Sequence, residues 1–427
     1  DLPSYKKDRL GNELRNQVPE TIINSGLNHD KEGLAKKVRY ALKHQELGKP
    51  RQLILTTYDN LRDYQFSLGL IEWSVIVFDE AQNIKNPDSL KARAAKALKS
   101  KFKLLTTGTP VENSLKDFWS LFDCLEPNYL DSYQTFRTNC MTPILKANDD
   151  EKFEIRKEIG LKLRAKVGGY MLRRVKEDEL EGLPKKHVIF EDHKEENKLD
   201  KRITCRMPTE QLSIYNDVLN ATIDDINSGT TAAALKGFHE IRSVSLHPPL
   251  LGGIPHLPKS ADEAQSILGK SGKLVKTLEI LQEIKNKEEK VIIFLTNKNL
   301  QPLLAHCLLK IFNLNVDVIN GDTKTVSGNE INKTRKTILE KFCSSIGFNI
   351  IILSPLAAGV GLTIVEANHV IHLERHWNPA KEAQATDRVY RIGQKKDVYI
   401  YLPMLIHDKF DTFDVKLSNL LKSKLLL

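Results

Sequence analysis

The sequence predicts an α/β protein built on parallel sheets with helices on both faces. Short, continuous apolar runs such as Val75–Phe78 and Ile350–Leu353 read as strands buried on both sides. These runs alternate with charged segments of helical period, the pattern of strand-helix-strand units. The alternation comes in two blocks separated by helical and Pro/Gly-rich stretches, and 427 residues suit two or three domains.

Along the chain, residues 1–50 are polar, with weak helical periodicity. Leu53–Tyr58 is the first expected strand. Val75–Phe78 is the second and runs straight into Asp79-Glu80-Ala81-Gln82. Ser89–Leu98, rich in Ala and Lys, is an expected helix, and Phe102–Thr106 a third strand ending in Thr107-Gly108-Thr109-Pro110. Residues 125–165 and 207–248 read as helices. Between them lies a basic cluster, Arg173, Arg174, Lys185 and Lys186, around Gly182 and Pro184. Residues 249–262, with Pro249, Gly252, Gly253, Pro255 and Pro258, read as a loop or linker. The second block opens with the stripe Leu274, Leu278, Leu281 and Ile284. Its strands are Val291–Leu295, Val316–Ile319, Ile350–Leu353, His369–Leu373 and Val398–Leu402, with helices over 331–343 and the last 20 residues.

Composition narrows the function classes. A chain 41% hydrophobic and 28% charged is not a disordered tail, a collagen or a disulfide-stapled miniprotein. The net charge of +9 suits a polyanion partner, although proteins that bind nothing acidic share it. Five cysteines (Cys124, Cys140, Cys205, Cys307, Cys343) form no CxxC pair, which argues against zinc ribbons and for free thiols in a reducing cytosol. No apolar run approaches membrane-spanning length and no signal-peptide pattern opens the chain, so a soluble, intracellular protein without a membrane partner is expected. The chain begins at Asp1 rather than Met, and a piece of something longer is expected.

Three segments carry chemistry. Ligands of open parallel sheets bind at the carboxyl ends of strands, where Asp79 and Glu80 fall. There Asp79 would hold Mg2+ through water, and Glu80 would orient and deprotonate an attacking water. The alternative is a solvated turn. In the second segment, Asn378 suits a helix cap, Pro379 its first turn and Gly393 its end. Gln384, Arg388 and Arg391 would then share one helix face at i, i+4 and i+7. Two adjacent guanidiniums need an anion, and a triphosphate suits their planar, permanently charged forks. A solvated basic face with Asp387 as local partner is the alternative. The third segment runs from Ser354 through Gly359 and Gly361 to Thr363. Its small residues after a strand let backbone amides approach phosphate, and a tight turn is the plain alternative.

Other patterns fail. Gly269-Lys270-Ser271 resembles the end of a phosphate-binding loop, but the spacing GxxxxGK(S/T) puts Ala264 where Gly is required. His239-Glu240 would begin a zinc motif, but Ser243 stands where its second His belongs. His372 and His376 are four apart, and a structural role is the expectation.

Together these segments resemble the Swi/Snf family of helicase-like DNA translocases, in helicase superfamily two. The likeness runs in order from about residue 50 over nearly the whole remaining chain. IEWSVIVFDEAQNIKNPDS resembles the acidic motif II, with Gln82 where the family usually has His. KLLTTGTPVENSLKDFWSLFDCLEP resembles motif III, YMLRRVKEDELEGLPKK the close of the first motor lobe, and VIIFLTN motif IV. The stretch from ILSPLAAGVGLT to QATDRVYRIGQ resembles motifs V and VI.

The resemblance implies two RecA-like lobes with ATP and Mg2+ in the cleft between them, duplex DNA across both, and helical insertions. It assigns residues 1–190 to a partial first lobe with a protrusion at about 125–165, and 191–268 to a second protrusion and linker. Residues 269–403 become the second lobe and 404–427 a brace-like helix. Asp79 and Glu80 become the Mg2+ and water-activating residues. Arg388 and Arg391 become arginine fingers with Gln384 beside them, and Gly361 adjoins the nucleotide. Gln82, Thr107, Gly108 and Thr109, with Ser354, Gly359 and Thr363, couple nucleotide to DNA.

One departure stands out. No GxxxxGK(S/T) loop precedes Asp79, so the β- and γ-phosphates lack their main protein ligands. Weak ATP binding and almost no hydrolysis are expected of this chain alone, with truncation at both ends and an active longer protein. A catalytically inert DNA-binding or scaffolding module is the competing reading, and an RNA-directed helicase a third. The location implied is the bacterial cytoplasm with the nucleoid, or the nucleus. Partner proteins would bind through appended domains, which also decide the process served.

Overall fold

Strands of three to seven residues, many built on short apolar runs, organise both halves of the chain. The structure, a computed structural model, describes residues 53–425 except 109–113, 175, 177–181, 190–199, 228, 230, 254–255, 324–333 and 356–362. Two compact units divide between Met171 and Leu172.

In the first unit, α1 (Tyr58–Asp63) precedes β1 (Glu72–Phe78). Helix α2 (Leu90–Ala97) then crosses to β2 (Lys99–Leu105), which lies parallel to β1 with Phe78 opposite Leu105. Ser89 caps α2 by accepting from Ala92 N at 3.2 Å. Small residues on α2 (Ala92, Ala94, Ala95) pack in one core with Ile71, Phe78 and Ile84. The other sheet face carries Val75 opposite Phe102 and Val77 opposite Leu104, all exposed. The expectation of a sheet covered on both faces therefore does not hold for this unit among the described residues.

Residues 53–57, expected as strand, form none. Thr57 instead caps α1, its Oγ1 accepting from Asn60 N at 3.2 Å. A second core joins α3 (Leu115–Leu125) to α4 (Asp149–Val167) through Phe118, Trp119, Phe122, Ile159 and Leu163; α4 falls in the stretch expected to be helical, and α3 precedes it.

The second unit holds β3 (Lys186–Ile189), β4 (Thr204–Arg206), β5 (Lys290–Phe294), β6 (Asp317–Ile319), β7 (Asn349–Leu353), β8 (His369–His372), β9 (Val398–Tyr401) and β10 (Met404–Ile406). Six of them form an all-parallel sheet in the order β3-β9-β8-β5-β7-β6, and β4 pairs with β10. The five strands expected from the second block are all present. Strands β3, β4 and β10 were not among those expected: all three are only three or four residues long, and β3 and β4 are largely polar. Pairing of β3 with β9 carries the chain from 186 onward into this unit, whereas the first lobe was expected to run to 190.

The helices of this unit are α5 (Thr209–Asn227), α6 (Thr231–Leu246), α7 (Ala261–Gly269), α8 (Gly272–Asn286), α9 (Leu300–Phe312), α10 (Arg335–Ser344), α11 (Pro379–Thr386) and α12 (Phe413–Leu425). The former loop look-alike at 269–271 is a structural lock. Ser271 caps α8 and donates from Oγ to Leu246 O at 2.7 Å, and a Cβ at Gly272 would strike the Arg206 carbonyl. The buried ammonium of Lys273 meets Asp414 Oδ1 at 2.7 Å, which ties α8 to α12. These pairings make an α/β fold of two parallel-sheet units with helical insertions.

Candidate functional site

The carboxyl ends of β1 and β2 lie side by side, and their ladder continues one step further. Thr106 N donates to Phe78 O at 3.0 Å and Ala81 N to Thr106 O at 2.9 Å. That step sets Asp79 beside Thr106, and Thr106 Oγ1 donates to Asp79 Oδ1 at 2.7 Å. Glu80 takes a left-handed conformation, φ 49° and ψ 51°, which for a non-glycine residue costs on the order of 1 kcal/mol. Asn83 offsets this by donating to Glu80 O through its backbone N at 3.0 Å and its side chain at 2.8 Å. The turn brings the Glu80 carboxylate within 2.6 Å of Gln82 Nε2, while Gln82 Oε1 accepts from Thr107 Oγ1 at 2.7 Å. A relay thus runs Thr107–Gln82–Glu80.

Four of the expected residues (Asp79, Glu80, Gln82 and Thr107) therefore share one polar network. Gly108 follows, exposed, with no atom within 4 Å of where its Cβ would stand. Thr109 lies outside the described residues. Two members were missed from sequence. Thr106 was read as the end of a strand, although parallel register alone puts it next to Asp79. Tyr58 stacks on Phe78 at 6.4 Å and donates from Oη to Asp79 O at 2.7 Å. Burial, followed by the nearby Asp79 carboxylate, pushes its phenol well above the usual range.

The network suits a hard cation. Asp79 Oδ1 accepts from Thr106 and from Glu80 N at 3.0 Å, and Oδ2 accepts no hydrogen bond from the described residues. No group of three or more His, Cys, Asp or Glu among the described residues could hold a metal. One carboxylate, completed by water and substrate phosphates, is the usual protein contribution to Mg2+.

In the second unit, Asn378 caps α11, its side chain accepting from Ala380 N at 2.9 Å, and Pro379 occupies the first turn as expected. The helix ends at Thr386, however, so Gln384, Arg388 and Arg391 do not share one helix face. Tight turns follow, with Val389 N donating to Thr386 O at 2.9 Å and Gln394 N to Arg391 O at 3.0 Å. Buried Val389 and Tyr390 draw these turns into the core, and Gly393 reverses the chain at φ +103°. Gln394 Nε2 fixes the arrangement by donating to Ala367 O at 2.8 Å.

Gln384 therefore stays on the helix, Arg388 stands just past its end, and Arg391 is exposed. Arg388 O accepts from Ile364 N at 2.9 Å, and Arg391 Nη1 donates to Thr363 Oγ1 at 3.1 Å, so Thr363 and Arg391 do come together. Ser354 is buried at the end of β7, donating from N to Ile319 O at 2.8 Å. Gly359 and Gly361 lie outside the described residues. Asp387, weighed as a local partner of the arginines, pairs with Lys176 Nζ at 2.8 Å.

The loop before α11 is anchored by buried ion pairs. Glu374 meets Arg242 at 2.6 Å and accepts from Thr296 N and Asn297 N, while Arg375 forks onto Glu382. His372 Nε2 lies 2.8 Å from Thr386 Oγ1, and complete burial pushes its imidazole down to about 4. His376 Nδ1 accepts from Asn378 N at 3.0 Å. The four-residue spacing of these histidines thus serves the loop, as expected.

Residues 15–250 match the family model of the SNF2-related domain, and residues 272–393 that of the helicase conserved C-terminal domain. The chain is 38% identical over 377 residues to Zorya protein ZorD of Escherichia coli, an alignment covering 87% of this chain and 33% of that protein. It is 32% identical over 378 residues to the putative ATP-dependent helicase/translocase YwqA of Bacillus subtilis, covering 87% and 37%. The solved SWI2/SNF2 ATPase core of Sulfolobus solfataricus in complex with dsDNA is 32% identical, with 82% of this chain and 68% of that one aligned at a TM-score of 0.41. The chain spans about a third of the length of the two curated relatives. With more than half of its residues matched by one family model, the chain belongs to the SNF2-related family of helicase-like proteins.

Proposed function

We propose that this chain is the motor part of an ATP-dependent double-stranded DNA translocase. The observation that carries the reading is the Thr107–Gln82–Glu80 relay beside Asp79 at the ends of two parallel strands. Glu80 is the general base that aligns and deprotonates a water, and Gln82 orients its carboxylate. Thr107, at the far end of the relay, is joined through Gln82 to Glu80 and couples the strand end to the base. Bound Mg2+ supplies charge neutralisation at the phosphates. Asp79 would hold it through Oδ2. Arg388 and Arg391 supply the cationic groups that stabilise charge on the transferring phosphoryl group.

One of the cited relatives is named as a putative ATP-dependent helicase/translocase, which supports a translocating motor, and duplex DNA is the track proposed for it. The basic excess suits contacts to phosphates that position without reading sequence. Because the sequence holds no GxxxxGK(S/T) loop, hydrolysis belongs to the longer protein and is expected to be nearly absent from this chain alone. That same absence favours a second reading, an inert DNA-binding module. ATP hydrolysis by the full-length protein with and without duplex DNA separates the two. Strong stimulation by duplex, and loss of roughly 100- to 10,000-fold in turnover on Glu80→Gln, is the expected result. No hydrolysis by the full-length protein with duplex DNA present is the result the inert module predicts, and unchanged turnover in Glu80→Gln contradicts the assignment of Glu80 as general base.

A further inference from the structure

We propose that Thr106 is a positioning residue for the cation-binding carboxylate of Asp79, an inference that rests on the ATPase reading above. A terminal carboxylate turns easily about its last torsion, and its two oxygens are equivalent until something distinguishes them. Here the surroundings do so. Oδ1 receives the Thr106 hydroxyl at 2.7 Å and the Glu80 backbone N–H at 3.0 Å. An oxygen with two donors has its acceptor capacity taken up, which leaves Oδ2 as the oxygen available to a cation. The backbone of Asp79 is held as well, because Tyr58 donates to its carbonyl at 2.7 Å.

The Thr106 hydroxyl is itself held in place. Its backbone N and O are both engaged, with Phe78 and Ala81, and its β-branched side chain has few rotamers. Successive side chains on an extended strand point to opposite faces. Thr106 therefore addresses Asp79 while Thr107 addresses Gln82, and through it Glu80. One strand end fixes the metal carboxylate with one hydroxyl and the base with the next. Mg2+ tolerates little departure from octahedral geometry, so an Asp79 free to rotate binds it less well.

The test is a titration of full-length protein with Mg2+, read as binding of a fluorescent ATP analogue. Binding of the same analogue without the metal, and of duplex DNA, serves as the control. Thr106→Val removes the hydroxyl at nearly constant volume. It should raise the half-saturating Mg2+ concentration about 10- to 100-fold, the usual effect of losing a residue that orients a metal ligand, and leave both controls unchanged. Thr106→Ser restores the donor and should titrate within about threefold of wild type. If the valine variant fails to fold, Thr106→Ala deletes the same hydroxyl and carries the same expectation. Wild-type Mg2+ dependence in the variant lacking the hydroxyl, or a serine variant as impaired as valine, overturns the proposal. Glu80→Gln turnover, measured in parallel, keeps the outcomes distinct. If it is abolished while Thr106→Val titrates normally, only Thr106 has been misassigned; if it is unchanged, the ATPase reading itself fails.

Discussion

Strands β1 and β5 carry nearly the same apolar run and meet opposite surroundings. Val75 and Val77 of β1 are 55% and 57% exposed, whereas Val291, Ile292, Ile293 and Phe294 of β5 are fully buried. The difference lies in the neighbours. β5 is flanked by β7 and β8 and shares one core with Leu274, Leu281, Leu300 and Leu304 of α8 and α9. β1 has β2 beside it and an alanine-rich helix on one face. Apolar continuity specifies a strand, and the rest of the fold supplies its burial. The groups of the candidate site inherit this contrast. Asp79 and Glu80 are held by hydrogen bonds at the end of a sheet that the described residues cover on one face, whereas the turns bearing Arg388 and Arg391 are held by buried Val389, Tyr390 and Gln394.

Substitutions on the two sides should differ in proportion, and denaturant unfolding of this chain reads each of them. Phe294→Ala removes a fully buried ring beside His372 and should destabilise by about 3–5 kcal/mol; a loss below about 1 kcal/mol would mean that the second core is not packed as described. Lys273→Ala leaves Asp414 buried without its cation. A loss in the same range, roughly 3–5 kcal/mol, is expected, and Lys273→Met with Asp414→Leu should recover most of it.

His372 gives a pH-dependent effect next in size. Its folded imidazole sits at about 4, below the 6.5 of an unfolded chain, so the unfolded state takes up the proton first. This contribution is intact above pH 6.5 and is lost as pH falls toward 4, a change on the order of 3 kcal/mol. Unfolding midpoints at pH 7 and pH 4.5 should converge in His372→Gln relative to wild type; an identical pH dependence in both contradicts the assignment. The smallest effect belongs to β1. Val77→Thr lies on the face left exposed among the described residues and should shift stability by no more than about 0.5 kcal/mol. A loss comparable to that of Phe294→Ala would show the face to be covered.

What the sequence revealed follows the same contrast. Strands of four or five consecutive apolar residues were legible, as was the acidic pair at the end of one of them, because burial and strand-end placement act through local pattern. Leu53–Tyr58 has the composition of a strand, but Thr57 and Asp59 supply a helix start that outweighs it. The end of α11 at Thr386 was hidden because Val389 and Tyr390 are drawn into a core made by distant residues. Strand β3, Lys-His-Val-Ile, is too short and polar to stand out, and it exists through its register with β9. Thr106 was overlooked for a different reason: its role depends on which residue lies across the ladder, which one strand's sequence does not state.

The proposed function requires that the acidic strand end and the arginines after α11 serve one nucleotide. Single-turnover ATP hydrolysis by the full-length protein on duplex DNA tests it, with Arg391→Ala, Glu80→Gln and the double variant compared. Arg391→Ala should slow hydrolysis on the order of a thousandfold, and the double variant should be little slower than Glu80→Gln alone, because groups that act as a unit do not add. Hydrolysis at the wild-type rate in Arg391→Ala, with Glu80→Gln inactive, would contradict the claim.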